Sequence, residues 1–278
     1  MRLSPGQTLL CRRLQTTLTP EGKNWLCMSN NFENFLHKSD IANNFYQFTN
    51  KVKAYQYQLP FTATQKYLDT NSHALDWGCG NGHFSSFLLY NNQKTTAFGF
   101  GEASTHPVLA ENKLFNFIAA DTTEPVKLPF ENEKFDLVCS MGVLEHVHES
   151  GGDQLASLKE IHRILKPQGF FLCFHFPYSG SIVEIVHNAI MPYKKHKAYV
   201  HTRRFSREDV VRLTDESSFA LREWGRYNIL PRNFTQRLPL ALTNNPLFIS
   251  AFNATDNLLS CLLPFFCTQS YFIAQKIG

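Results

Sequence analysis

The stretch LDWGCGNG, residues 75–82, decides the fold predicted for this chain. The run HALDW, residues 73–77, predicts a short buried strand, and three glycines at positions 78, 80 and 82 follow it. A helix is predicted to begin directly after the last glycine. Glycines at a strand-to-helix turn permit a tight bend and let backbone amides approach a ligand at the positive end of a helix. The stretch therefore predicts a ligand-binding loop at the carboxyl end of a strand.

The spacing of these glycines separates the loop from two common nucleotide-binding loops. A dinucleotide fingerprint requires glycine at position 83, where this chain has His83. The Gly-Lys-Ser/Thr sequence of a P-loop does not follow the glycines either. Asp76 stands two residues before the first glycine, where its charge would repel a pyrophosphate but suit a ligand with an ammonium group. Both Asp76 and His83 therefore disfavour a nicotinamide-dependent enzyme.

Outward from the loop, short apolar runs alternate with helical patterns. Apolar residues at 155, 158, 161 and 165 predict a helix, and a capping-box pattern at 206–209 predicts another over 207–217. Strands are predicted at 73–77, 95–100, 116–120, 135–140, 170–176, 219–227 and 270–275. This alternation predicts an α/β fold, with a mostly parallel sheet covered by helices on both faces.

The chain divides at about residue 70. Residues 1–70 are predicted to form an N-terminal helical extension or cap, in which the apolar stripe from Ile41 to Leu59 predicts one helix that Pro60 ends. Residues 71–278 are predicted to form one Rossmann-like domain. Its long connections, about 178–204 and 231–268, are interpreted as helical insertions, since connections of that length usually carry function or extra helices.

Two further acids follow predicted strands. Glu102 stands twenty residues past Gly82, at the end of the second strand, where a carboxylate can accept both hydroxyl hydrogens of a ribose. Asp121 follows the third strand and is placed to meet an adenine amino group. Together with Asp76, these residues favour a ligand that carries an amine, a ribose and an adenine.

Four motifs now carry a family resemblance. They stand in the family's order over about residues 70–177: LDWGCGNG (75–82), AADTTE (119–124), LPFENEKFDLVCSMGVLEHV (128–147) and ILKPQGF (164–170). In these motifs the chain resembles the class I S-adenosylmethionine-dependent methyltransferases, in particular the type 11 branch that includes ubiquinone and menaquinone biosynthesis enzymes. The resemblance implies a Rossmann-like fold with a mostly parallel seven-stranded sheet, and S-adenosyl-L-methionine as the cofactor.

The resemblance also implies which residues contact the cofactor. Backbone near Ser140 and Met141 would line the sulfonium. The family usually has an aspartate at the end of the second strand, so Glu102 is a longer substitute for it. The implied cofactor-binding residues are Asp76, Gly78, Cys79, Gly80, Glu102, Asp121, Thr122 and Met141.

The acceptor chemistry is predicted from the segment that follows the fourth strand. An oxygen nucleophile needs a base, and a histidine of pKa ~6.5 suits a phenol-like hydroxyl of pKa ~10. His146 is the predicted base and Glu145 the residue that orients it; His148, His175 and His201 are alternatives. The rival interpretation is that the Glu-His pair only shapes the loop. No metal is predicted, because the acid that some quinone-pathway relatives have three residues before the glutamate is Gly142 here.

The predicted function is methyl transfer to a small-molecule acceptor, at an oxygen of a quinone-like, lipid or other secondary metabolite. An N- or C-methyltransferase of the same fold is one alternative, because acceptor chemistry varies on a shared fold. A non-catalytic cofactor-binding subunit or assembly factor is the alternative from another class. It would keep the glycine loop but lack acceptor chemistry.

Composition bounds the partners and the compartment. The chain is 43% hydrophobic and its net charge of +4 is too small to predict nucleic-acid binding. The basic tract at 191–212 and the aromatic tract at 262–266 predict peripheral membrane contact. Seven cysteines without a CxxC pair favour a reducing compartment, hence the cytoplasm. Three arginines before the first acid, Glu21, are typical of a transit peptide, so the mitochondrial matrix is the alternative.

Overall fold

One seven-stranded sheet organises the protein. The computed structural model describes residues 25–100, 107–182, 185 and 203–277. Its strand order is β3-β2-β1-β4-β5-β7-β6, and only β7 runs antiparallel to its neighbours. The strands are β1 (His73–Trp77), β2 (Lys94–Gly99), β3 (Phe115–Ala119), β4 (Phe135–Met141), β5 (Leu165–Pro177), β6 (Phe219–Tyr227) and β7 (Gln269–Lys276). The predicted α/β architecture with a mostly parallel sheet is confirmed.

Helices cover both faces of this sheet and create two apolar cores. The first core packs N-terminal helices on one face, where the rings of Phe61 and Phe87 stack 4.3 Å apart. The second core, on the other face, includes Leu158 and Ile161 of one helix and Val210 of another. The described α-helices are α1 (Trp25–Lys38), α2 (Lys51–Ala54), α3 (Gln58–Gln65), α4 (His83–Tyr90), α5 (Gln154–Ile164), α6 (Arg207–Glu216), α7 (Leu240–Thr243) and α8 (Pro246–Leu262).

The N-terminal helices differ from the prediction. The single helix expected from Ile41 to Leu59 is instead a series of short turns, because the Asn50 side chain accepts a hydrogen bond from the backbone of Lys53 and starts α2 anew. Pro60 does not end a helix but lies in the first turn of α3, where its missing N–H costs nothing. The apolar stripe is still buried in the first core, so the pattern predicted burial correctly and continuity wrongly.

The predicted insertion at 231–268 carries extra helices. It contains a 3-10 helix (Arg232–Arg237), α7, α8 and a second 3-10 helix (Pro264–Phe266). Most of the other insertion, including His201 and the lysines of the basic tract, lies outside the described residues. In the part of the chain that is described, no helix is long and apolar enough to cross a membrane.

Candidate active site

The glycine loop after β1 adopts a backbone that requires its sequence. Gly78 and Gly80 have φ values of +76° and +52°, in the left-handed region that side chains disfavour. A Cβ atom on Gly78 would lie 2.3 Å from a methyl group of Val143, so the space there is closed as well. The amides of Gly78 and Cys79 donate to the carbonyl of Phe98, at 2.7 and 3.1 Å. These bonds fix the loop over the end of β2.

A cavity of about 320 Å³ opens in front of this loop. It lies where β1 to β4 end, the edge at which open parallel sheets bind ligands. Its volume falls at the lower end of the range of small-molecule sites, ~300–1,000 Å³. Four residues predicted from the sequence line it: Gly78, Gly80, Asp121 and His146.

Asp76 lies behind the loop instead of on the cavity wall. Its carboxylate is fully buried and accepts a hydrogen bond of 2.6 Å from the Ser85 hydroxyl in the first turn of α4. Burial raises its pKa to about 6, and the hydrogen bonds from Ser85 oppose that rise. In this geometry Asp76 joins the end of β1 to the start of α4 and so holds the glycine loop from below.

The other predicted cofactor residues are placed as follows. Asp121 is exposed and accepts two hydrogen bonds from Thr123, at 2.8 and 2.7 Å, which hold its pKa below the usual range. Thr122 is exposed beside it. Cys79 is buried, and burial raises the pKa of its thiol, as expected for an inert side chain. Met141 packs against the first core. Glu102 lies outside the described residues.

The predicted catalytic pair lies on a 3-10 helix (Leu144–Ser150) that follows β4. Nδ1 of His146 is 3.0 Å from a carboxylate oxygen of Glu149, whereas its Nε2 is 3.9 Å from Glu145. Glu145 is 2% exposed and lies beside Gly142, which also lines the cavity. The nearer orienting carboxylate is therefore that of Glu149, which the sequence did not single out for that role.

A second cluster of polar side chains lies beside the segment that follows β4. The sequence analysis did not predict that these side chains meet. His175 has φ of +57°; its Nδ1 is 2.7 Å from the Gln269 amide nitrogen, and its backbone N–H donates to the Tyr227 hydroxyl at 2.9 Å. The ring of Tyr57 lies 5.4 Å from the His175 ring. A Cβ atom on Gly142 would lie 3.9 Å from that of His175. Of this group the sequence pointed only to His175, because the other members come from distant parts of the chain.

The residues that the structure describes form no cluster of potential metal ligands. Within residues 25–100, 107–182 and 203–277, no three histidine, cysteine, aspartate or glutamate side chains are grouped so that they could hold a metal ion.

The fold and the cavity define a methyltransferase-type Rossmann domain, and comparison with known proteins agrees. A family model described as a methyltransferase domain matches residues 75–173. A solved S-adenosylmethionine-dependent methyltransferase from Methanosarcina mazei superposes with a TM-score of 0.53 at 16% identity, over 77% of this chain and 97% of that one.

Two curated relatives are similar in sequence. The demethylmenaquinone methyltransferase of Staphylococcus haemolyticus is 25% identical over 169 residues, which is 58% of this chain and 67% of that enzyme. The human mitochondrial arginine-hydroxylase NDUFAF5 is 36% identical over 107 residues, which is 36% of this chain and only 27% of that protein. Over residues 75–173 and in its fold, the chain is therefore similar to the class I S-adenosylmethionine-dependent methyltransferases.

S-adenosylmethionine, the cofactor of the methyltransferases that this chain resembles, fits the residues of the cavity. Gly78 and Gly80 leave the backbone accessible where a ligand must approach it closely. The aromatic side chains of Trp77 and Phe98 supply apolar walls for a purine ring. The exposed carboxylate of Asp121 supplies an acceptor for an amino group at the rim.

Proposed function

We propose that the protein transfers the methyl group of S-adenosylmethionine to an oxygen atom of a small-molecule acceptor. The observation that carries this proposal is a histidine on the wall of the cofactor cavity, held by a carboxylate at 3.0 Å. When bound, the cofactor supplies a methyl group on a positively charged sulfur. The protein therefore needs no strong electrophile, and its task is to align the reactants, exclude water and remove a proton.

His146 is suited to remove that proton. If its Nδ1–H donates to Glu149, the neutral ring carries its acceptor lone pair on Nε2. A bound cofactor would donate its methyl group to the acceptor oxygen, and its sulfur would keep the electron pair of the broken carbon–sulfur bond. Nε2 of His146 would take up the proton that the acceptor hydroxyl loses. Glu149 stabilises the imidazolium that results.

The apolar wall of the cavity supplies the alignment. Trp77, Phe98, Val143 and Val147 line it and keep water from the reacting atoms. Holding two reactants in line contributes ~7–11 kcal/mol to lowering a barrier. Since this contribution does not depend on the acceptor, the cavity alone does not select the methylated atom.

The test is transfer of a labelled methyl group to phenolic, amine and activated-carbon acceptors. We expect label on a phenolic oxygen, and we expect His146→Gln to lower kcat roughly a hundredfold or more while cofactor affinity stays unchanged. His148→Gln, two residues away, is the matched control and should retain the wild-type rate. Label on nitrogen or carbon, or full activity of His146→Gln, would overturn the oxygen assignment.

A second candidate is favoured by the human relative. That protein is named an arginine-hydroxylase, and it is 36% identical to this chain over 107 residues. Because one fold hosts different functions, this similarity supports either chemistry other than methyl transfer or a binding role alone. A protein that binds S-adenosylmethionine tightly but labels no acceptor in the assay above would favour the non-catalytic subunit.

We also propose peripheral contact with an anionic bilayer. Asp256 is the one charged residue between positions 238 and 268, and it is buried and paired with Arg232. The exposed apolar side chains of residues 238–266 form the proposed contact surface. Arg237 is exposed beside them, and its positive charge suits anionic headgroups. Failure of the protein to sediment with phosphatidylglycerol vesicles at physiological salt would contradict the proposal. The exposed apolar residues are Leu238, Leu240, Leu242, Leu247, Leu258, Leu262, Leu263, Phe265 and Phe266.

A further inference from the structure

Three aromatic rings surround the guanidinium of Arg226. Its central carbon lies 4.8 Å from the ring centre of Tyr178, 5.2 Å from that of Trp224 and 5.0 Å from that of Phe265. Tyr178 directly follows β5, Trp224 belongs to β6, and Phe265 comes from the 3-10 helix after α8. Rings from three separate elements thus fix the position of one cation. We call these four residues the Arg226 cage.

The cage leaves part of the guanidinium without an acceptor. Nη1 of Arg226 is buried and has no hydrogen-bond partner among the described residues. Ring faces attract a guanidinium, but they do not replace the hydrogen bonds that its N–H groups lose on leaving water. Buried cations are usually paired with an anion or coordinated. An arginine held this way is therefore preorganised for an anionic group from outside the protein.

A second arginine stands at the same corner. Arg204 also has a buried Nη1 without a partner in the described part of the chain. The next residue, Phe205, is fixed against the end of β5: its N–H donates to the carbonyl of Pro177, and its carbonyl accepts from Ser179, both at 3.0 Å. The bridge between Tyr178 and Phe205 thereby holds the backbone of Arg204 close to the end of β5.

The cage lies on the same edge as the cofactor cavity. β4, β5 and β6 all end there, and Gly142 of the cavity wall directly follows β4. Three strand spacings, through β5 and β7 to β6, separate the two places by roughly 14 Å. An acceptor whose reactive atom reaches the cofactor could place its far end at the cage.

We propose that Arg226, assisted by Arg204, binds an oxyanion of the methyl acceptor, either a carboxylate or a phosphate. Both groups accept paired hydrogen bonds from a guanidinium fork. The acceptor is then an anionic molecule whose charged group lies roughly 14 Å from the methylated atom. This inference rests on the proposed function for the identity of its ligand, but not for the binding of the anion itself.

The first experiment measures anion binding without the cofactor. Titration calorimetry with inorganic phosphate and with benzoate should show saturable binding of at least one probe to the full chain. Arg226→Gln should weaken that binding at least tenfold, whereas Arg226→Lys should retain part of it. Arg222→Gln is the matched control, since Arg222 is an exposed arginine of the same strand that donates to Gln275. Absence of binding by the wild type, or an equal loss of binding in Arg226→Gln and Arg222→Gln, would overturn the proposal.

The second experiment separates this proposal from the proposed function. With an acceptor identified, Arg226→Gln should raise the acceptor KM tenfold to a hundredfold and leave both kcat and cofactor affinity near wild type. A fall in kcat at unchanged KM would overturn the role as an acceptor anchor. The protein could bind an oxyanion through Arg226 and yet transfer no methyl group. That result would contradict the proposed function but would support the anion site. A thermal melt of each variant confirms that it is folded.

Discussion

At the scale of single residues, the glycine loop shows why a short motif was so informative. Gly78 meets two constraints at once, a left-handed backbone and a neighbour that would lie 2.3 Å from any Cβ. Gly80 meets only the first, because nothing lies within 4 Å of the position of its Cβ. Both were predicted from the sequence as loop glycines, but only the structure shows that replacing Gly78 is more costly than replacing Gly80.

This difference predicts unequal effects of alanine. Gly78→Ala should lower the free energy of unfolding by about 3 kcal/mol, since the strain of positive φ adds to the clash with Val143. Gly80→Ala should cost about 1 kcal/mol, from φ alone. Urea denaturation of the two variants measures the difference. Equal destabilisation would show that the contact with Val143 relaxes at no cost.

Asp76 predicts a pH dependence of stability. Its pKa is raised from 3.8 to about 6, so between these values the folded protein holds the proton that the unfolded chain releases. The raised pKa of Asp76 stabilises the folded protein by about 3 kcal/mol below about pH 4, and this stabilisation is lost as the pH rises through 6. Asp76→Asn should abolish this slope when unfolding is measured without cofactor across pH 4–7. A variant with the wild-type slope would place the titration elsewhere.

At the scale of elements, one buried ion pair holds the C-terminal helices to the domain. Arg232 and Asp256 are 2.6 Å apart and almost fully buried. Asp256 also accepts the backbone N–H groups of Ile229 and Leu230, and Arg232 donates to the carbonyl of Val52 in α2. The pair thus joins α8, the turn after β6 and the N-terminal helices at one point.

Removing one partner should therefore be costly. Asp256→Ala leaves a buried guanidinium without its anion and should destabilise the protein by about 3–5 kcal/mol. Lys127→Ala removes an exposed pair with Glu124 and should cost less than about 1 kcal/mol. Denaturant titration compares the free energies of unfolding of the two variants. If Asp256→Ala lost as little stability as Lys127→Ala, water would have to replace the buried contact.

The strands were predicted better than the N-terminal helices, for a physical reason. Strands such as β1 and β4 are buried on both faces, so their apolar runs and flanking turn residues mark them locally. The N-terminal turns begin and end at single side-chain hydrogen bonds, such as the one that Asn50 accepts from the backbone of Lys53. Hydrophobic periodicity does not predict such bonds. Helix α6 was predicted because its capping box, Ser206 with Asp209, is local in sequence.

At the scale of the whole molecule, the active-site edge gathers residues that the sequence separates widely. Tyr57, His175 and Gln269 meet beside the loop after β4, and the Arg226 cage draws on three elements. Local motifs predicted residues of the cavity because these residues follow consecutive strands along the chain. The group around His175 and the Arg226 cage depend on long-range packing of the N-terminal helices and of the strands β6 and β7, which one sequence does not reveal.

The central claim is that the cavity at the ends of β1 to β4 holds S-adenosylmethionine, and calorimetric titration tests it most directly. We expect saturable 1:1 binding of S-adenosylmethionine and S-adenosylhomocysteine to the wild type. Asp121→Ala and Glu102→Ala should each weaken binding by about tenfold, the worth of one good hydrogen bond to a charged group. Glu131→Ala, an exposed acid away from the cavity, should bind as the wild type does. A folded wild-type protein that binds neither ligand would contradict the account.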